Sequence, residues 1–232
     1  MHFEGHFVEE STCWTMIDEA ARGNPARREE FAVRYLTPVR SYLLARWKST
    51  HYLSHLDDAV QEVFVECFRS RGVIEKADVN RPGGFRAYLF GLVRNVARVM
   101  ERRQDKRRDV PGDQDPNDSQ WVCEKPSLSV VFDRAWAQTI MQQAAQRQKE
   151  KAKQLGEAAL RRVELLRLRF QDGCPIRVIA QRWQMNPETL HREYARARQE
   201  FKQALLEVIA FHSSGSVEDP ERECQELLSL LQ

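Results

Sequence analysis

No apolar run in the 232-residue chain approaches the length that crosses a bilayer, so no membrane-spanning segment is expected. The first residues lack the basic start and apolar core of an export signal. The five cysteines, at positions 13, 67, 123, 174 and 224, are scattered, and no pair has metal-ligand spacing. Free thiols without an export signal predict a cytoplasmic protein. His2, His6, His51, His55, His191 and His212 form neither a ligand set nor a Ser/His/Asp arrangement, and no glycine loop is built to cradle phosphate. Neither a metal, a cofactor nor catalytic chemistry is therefore expected. Glycine (10) and proline (9) are sparse, whereas charged residues make up 30% of the chain. That composition suits helices, and the length allows two small domains.

What is present is an uneven charge. The net value of +2 conceals seven basic residues between Arg94 and Arg108, opposed only by Glu101 and Asp105. From Val217 onward there are five acidic residues with only Arg222 opposing them. Such asymmetry bears on partners rather than on fold.

Hydrophobic periodicity predicts an all-α protein of two small helical domains joined by a flexible linker. A short helix over Trp14–Ala21 is stopped by Gly23-Asn24-Pro25, and residues 1–24 form an N-terminal extension. Helices are expected over Arg27–Lys48, His55–Arg71 and Phe85–Arg103, making 25–103 one domain. Ser54-His55-Leu56-Asp57 has the pattern of a capping box. The third helix buries Val60, Val63, Phe64, Cys67 and Phe68, and the fourth Tyr88, Leu89, Leu92, Val96 and Met100. Between them, Gly72–Gly84 breaks the pattern. Residues 104–127 are rich in aspartate, proline and glycine and read as a mobile linker. The second domain spans 128–211. Within it, Gln142–Lys153 is polar nearly all round, which predicts a solvent-bridging or frayed segment. A hinge at 212–216 precedes an acidic tail helix, 212–232.

Three surfaces carry candidate chemistry. On the third helix, Asp58, Gln61, Glu62 and Glu66 share a polar face at three- and four-residue spacing, suited to a basic partner helix or simply to solvent. On the fourth, Arg94, Arg98, Arg102 and Lys106 recur every four residues and can track a phosphate backbone. Asn95 beside them can read a base edge, and Phe90 is placed either to stack on an unpaired base or to pack under the 72–84 loop. At 173–202, two short helices are hinged by a turn. Ile176, Ile179, Ala180 and Trp183 line the first, Asn186 caps the second and Pro187 opens it. Leu190, Tyr194, Ala197 and Phe201 face inward, leaving Thr189, His191, Arg192 and Arg196 outward, as on a recognition helix or the solvated face of an ordinary hairpin.

These residues resemble the bacterial sigma factors of the extracytoplasmic-function group. Asp57-Asp58-Ala59-Val60-Gln61-Glu62-Val63-Phe64 looks like that family's polymerase-binding motif. Phe85 to Ala97 looks like its promoter-melting helix, and 173–202 is similar to its second DNA-binding domain. The likeness covers 25–103 and 157–211, in the family's order. The Trp14 opening and the tail from Glu223 to Leu228 resemble sigma factors of planctomycete type.

The resemblance implies core RNA polymerase and promoter DNA as partners, with room for an anti-sigma factor. Asp58, Gln61 and Glu62 would contact polymerase. Arg94, Asn95, Arg98 and Arg102, with Phe90 and the 72–84 loop, would engage the minus-ten element. Thr189, His191, Arg192 and Arg196 would enter the major groove of the minus-thirty-five element. Glu188 and Glu193 depart from the family's pattern. Either would repel phosphate unless it meets a cytosine amino group or pairs with Arg192 or Arg196. Two rival readings stay open: a free-standing helix-turn-helix regulator, and an all-helical adaptor of anti-sigma type. The acidic tail either caps the second domain through Leu227, Leu228 and Leu231 or covers the recognition helix.

Overall fold

The structure, a computed structural model, describes residues 12–69, 84–108, 128–212 and 220–231. These residues are helical throughout, with no strand among them. The helices are α1 (Cys13–Ala21), α2 (Pro25–Trp47), α3 (Leu56–Arg69), α4 (Gly84–Arg108), α5 (Leu128–Leu155), α6 (Glu157–Phe170), α7 (Ile176–Trp183), α8 (Pro187–His212) and α9 (Pro220–Ser229). A turn of 3-10 helix, His51–His55, leads into α3.

The chain forms two compact units. One comprises Met1–Thr139, Ala210–Asp219 and Gln225–Gln232, and the other Ile140–Ile209 with Pro220–Cys224. The division differs from the sequence-based one at both ends and in the middle, where residues 128–139, expected in the second domain, belong to the first unit. Helix α1 is not an extension: its Cys13, Trp14, Met16, Ile17 and Ala20 are buried, and it packs on α2 and α3. His212 is not a hinge either. It is a buried helix end, with its Nε2 2.8 Å from the Tyr35 hydroxyl and its carbonyl accepting from the Cys13 thiol. The expected hinge at 213–216, most of the 72–84 loop and residues 109–127 lie outside the described residues.

Local chemistry sets the helix ends. Asn24 caps α2 by accepting from the Arg27 amide at 3.3 Å, with Pro25 at the first position, where no N–H is missed. The expected capping box before α3 does not form. The Ser54 hydroxyl donates to the His51 carbonyl at 2.9 Å, because the 3-10 turn already supplies the helix start with backbone acceptors. Helix α4 runs five residues beyond its expected end at Arg103. Its last turns are held from the side, by α2 at Glu101 and by Tyr52 at Asp105.

The core of the first unit is aromatic. Phe85, fully buried at the start of α4, meets Trp14 edge-on at 5.5 Å and Tyr35 at 4.9 Å. Phe31 and Trp136 also reach it, both within about 6 Å. Tyr35 stacks on Trp136 at an interplanar angle of 6°. On α3, Val60, Val63 and Cys67 are buried as expected, while Phe64 and Phe68 are half-buried and meet Phe31 edge-on. Burial pushes the Cys13 and Cys67 thiols far above their ordinary range, so neither supplies a thiolate at neutral pH.

In the second unit, the polar stretch 142–153 is a continuous part of α5, neither bridging nor frayed. Ala144, Gln148 and Ala152 fall at four-residue spacing and are buried. The Gln148 amide donates to the Ala197 carbonyl of α8 at 3.0 Å, while Arg147 and Lys151 both pair with Glu207. Burial alone would raise the Glu207 carboxyl, but the two cations hold it below its usual value. The stripe was hidden because two of its members are alanines and the third is an amide. Leu165, Leu168, Ile179, Ala180 and Leu190 build the remaining core, with Ile176, Trp183 and Tyr194 packed around it.

Candidate nucleic-acid and protein interfaces

Helix α4 exposes most of its basic residues. Its buried positions are Phe85, Leu89, Val93, Val96 and Ala97; Tyr88, Leu92 and Met100 are only partly covered. The two acids interrupting the basic run are both engaged by neighbouring elements. Glu101 accepts two bonds from the Arg46 guanidinium, at 2.6 and 2.7 Å, and one from the Trp47 indole at 2.7 Å. Asp105 accepts from the Tyr52 hydroxyl at 2.5 Å. Glu101 also raises the Arg46 pKa. Arg94, Asn95, Arg98, Arg102, Arg103, Lys106 and Arg107 are all exposed, as is Asp105. Of these, Arg103 and Arg107 lie about 140° and 180° around the helix from Arg98, off the face that Arg94, Arg98, Arg102 and Lys106 share.

Truncating Glu101 tests what these bonds contribute. Glu101→Ala leaves the half-covered Arg46 guanidinium and the Trp47 N–H without their acceptor. A loss of about 2 kcal/mol in unfolding free energy is expected, read by denaturant titration. Lys48→Ala, at an exposed neighbouring position, should cost less than about 0.5 kcal/mol.

Phe90 requires a correction. Its ring is not presented to a base. It is partly buried, 5.2 Å from Phe132 and edge-on to Tyr42 at 5.6 Å. The cause is α5, whose Phe132 covers that side of α4. The same side of the helix receives Arg86, which pairs with Asp133 at 3.1 Å. Gly91, one turn before Asn95, is exposed, and a side chain there would meet nothing within 4 Å among the described residues. Glycine in a helix interior costs about 1 kcal/mol relative to alanine.

On α3, Asp58 and Gln61 are exposed and Glu62 half-exposed, forming one outward patch. Glu66 is taken up by Arg69 at 2.9 Å. Asp57 pairs with Arg40 of α2, and His55 Nδ1 lies 3.9 Å from Asp58, an ion pair only when the ring is protonated. Val65 was missed by sequence reasoning. It is 45% exposed, four residues after Gln61 and three after Glu62, so it adds an apolar element to the acidic patch.

Helices α7 and α8 are joined by three residues. Gln184 ends α7 in the left-handed region (φ 53°), and the Met185 amide donates to the Ala180 carbonyl at 2.9 Å. Asn186 Oδ1 then accepts from the Glu188 amide at 2.8 Å, starting α8. His191, Arg192 and Arg196 are exposed and Thr189 is half-buried. Leu190 and Ala197 are buried, whereas Tyr194 and Phe201 are partly covered. Glu193 pairs with neither Arg192 nor Arg196. It turns toward the buried Arg162 of α6, 3.4 Å away, while Arg162 also grips Glu200 at 2.8 Å. One of the two anomalous carboxylates is thereby withdrawn from the outer face. Arg196 lies 3.3 Å from Glu200.

The tail helix α9 buries Cys224 and Leu227 and leaves Leu228 exposed. Its Glu221 pairs with Lys202 at 2.8 Å. Lys202 lies six residues beyond Arg196, about 9 Å further along α8.

No helix among the described residues is long and apolar enough to cross a membrane, and no cluster of three potential metal ligands occurs among them. What the geometry defines is an all-helical protein with one cationic helix face, one acidic patch on the adjoining helix and a capped helix pair with outward basic residues. Comparison with known proteins yields no matching family model and no match among curated proteins.

Proposed function

We propose that this chain is a transcription initiation factor of the sigma type, which binds core RNA polymerase in the cytoplasm and directs it to promoter DNA. The observation that carries the reading is the pairing of a basic face on α4 with an acidic patch on α3. On α4, Glu101 is paired with Arg46, the exposed Asp105 accepts from Tyr52, and Arg94, Arg98, Arg102 and Lys106 recur along one exposed face. Adjoining it, α3 displays Asp58, Gln61 and Glu62 around Val65. A face of either kind alone is common. Their pairing on neighbouring helices suits a protein that holds a polyanion and a basic protein surface together.

In this reading the factor performs no catalysis. Asp58, Gln61, Glu62 and Val65 dock on polymerase. Arg94, Arg98 and Arg102 hold phosphates of the minus-ten region, and Asn95 reads a base edge. His191, Arg192 and Arg196, preceded by Thr189, form the minus-thirty-five contact through α7 and α8 read as a helix-turn-helix. Strand separation costs about 1.4 kcal/mol per base-pair step. Stacking returns about 1–3 kcal/mol per captured base, but the packed Phe90 ring is not the platform. Other groups of the factor, or polymerase itself, must offset that cost.

Reconstituted transcription tests the division of labour. Gln61→Ala/Glu62→Ala should lose polymerase binding by at least about tenfold while remaining folded. Arg94→Ala/Asn95→Ala should retain polymerase but fail to open the promoter. If both variants support wild-type transcription, the reading fails. If the protein footprints DNA equally well without polymerase, a free-standing regulator replaces it.

A further inference from the structure

We infer that Gly91 marks the point where a nucleic-acid strand lies flush against the backbone of α4, so that the missing side chain, rather than any contact it makes, fits the helix to its ligand. The inference rests on the proposal that α4 binds DNA.

A mid-helix glycine needs a reason, because it destabilises the helix that carries it. Three ordinary reasons fail here. It is not strained: the positive φ angles among the described residues occur at other positions, including Gly84 at the start of the same helix. Among the described residues it makes no packing contact, since a Cβ built there meets nothing within 4 Å. It is not an end cap, because α4 continues to Arg108. What remains is an approach from outside.

The position of the gap points to the ligand. At 100° per residue, Gly91 lies about 60° from Arg94, about 40° from Asn95 and about 20° from Arg98, almost directly opposite the buried Leu89 and Val93. It therefore sits on the midline of the exposed face whose cations and amide flank it. A strand whose phosphates are held by Arg94 and Arg98 passes over residue 91 at the distance those side chains set. A side chain on that midline would act as a spacer between helix and strand. Glycine lets the sugar–phosphate backbone or a base edge approach to van der Waals contact with the helix main chain.

The test uses the full-length protein with core polymerase and single-stranded DNA of mixed sequence, in wild type, Gly91→Ala, Gly91→Leu and Arg98→Ala forms. Both glycine replacements improve helix propensity, so melting temperatures should stay level or rise, for alanine by about 2–4 °C. DNA affinity should fall with side-chain size, by about tenfold for leucine and less for alanine. The salt dependence of binding should be unchanged in both, as no charge is altered. Arg98→Ala should instead flatten it by about 0.7 in log–log slope. Should both glycine variants bind as wild type while Arg98→Ala is weakened, the close approach is refuted and the DNA face stands. Should Arg98→Ala also bind as wild type, or should no form bind, α4 is not a nucleic-acid face and both fall.

Discussion

Phe85→Ala is expected to lower unfolding free energy by about 3–5 kcal/mol, more than the loss expected from truncating Glu101. Phe85 is completely buried and touches rings from α1, α2 and α5 as well as its own helix. No neighbour can collapse into the void without abandoning contacts of its own, so the cavity term adds to the lost transfer energy. The denaturant midpoint, followed by helical circular dichroism, reads this change. Phe170→Ala is the control, since that ring is 68% exposed and should cost less than about 0.5 kcal/mol. A loss below about 1 kcal/mol at Phe85 would mean that the aromatic cluster does not hold the start of α4. The basic face would then have no rigid base.

Arg94→Ala/Arg98→Ala/Arg102→Ala is expected to weaken single-stranded DNA binding of the polymerase-bound protein by roughly 10- to 100-fold near physiological salt. All three guanidinium groups are exposed, and none has a carboxylate partner among the described residues. Each can therefore displace a counterion from a phosphate. Three lost contacts at about 0.7 each should reduce the log–log salt slope by about 2. Fluorescence anisotropy over a salt series measures slope and affinity together. Arg22→Ala, removing a surface cation paired with Asp18, should alter neither. An unchanged slope in the triple variant would show that these arginines do not meet phosphate.

Much of the helical order was legible because its signals are local. The Asn186-Pro187 start, the stripe of α3 and the basic repeat of α4 lie within single helices. What escaped was set by partners distant in sequence. The end of α4 was misplaced because Glu101 and Asp105 are held by residues some fifty positions away. Phe90 looked outward until Phe132 covered it, and Glu193 looked like a surface anion until Arg162 claimed it. The stretch 142–153 appeared featureless because alanine and glutamine carry little hydrophobic signal, although they pack closely against another helix. Charge patterns predicted which faces exist. Only the tertiary partners show which charges remain free on them.

Size-exclusion chromatography of the purified chain with bacterial core RNA polymerase at low salt tests the central claim most directly. Co-elution of the wild-type chain is expected, and its loss in Gln61→Ala/Glu62→Ala. A wild-type chain that elutes alone at every salt concentration would contradict the sigma-factor reading.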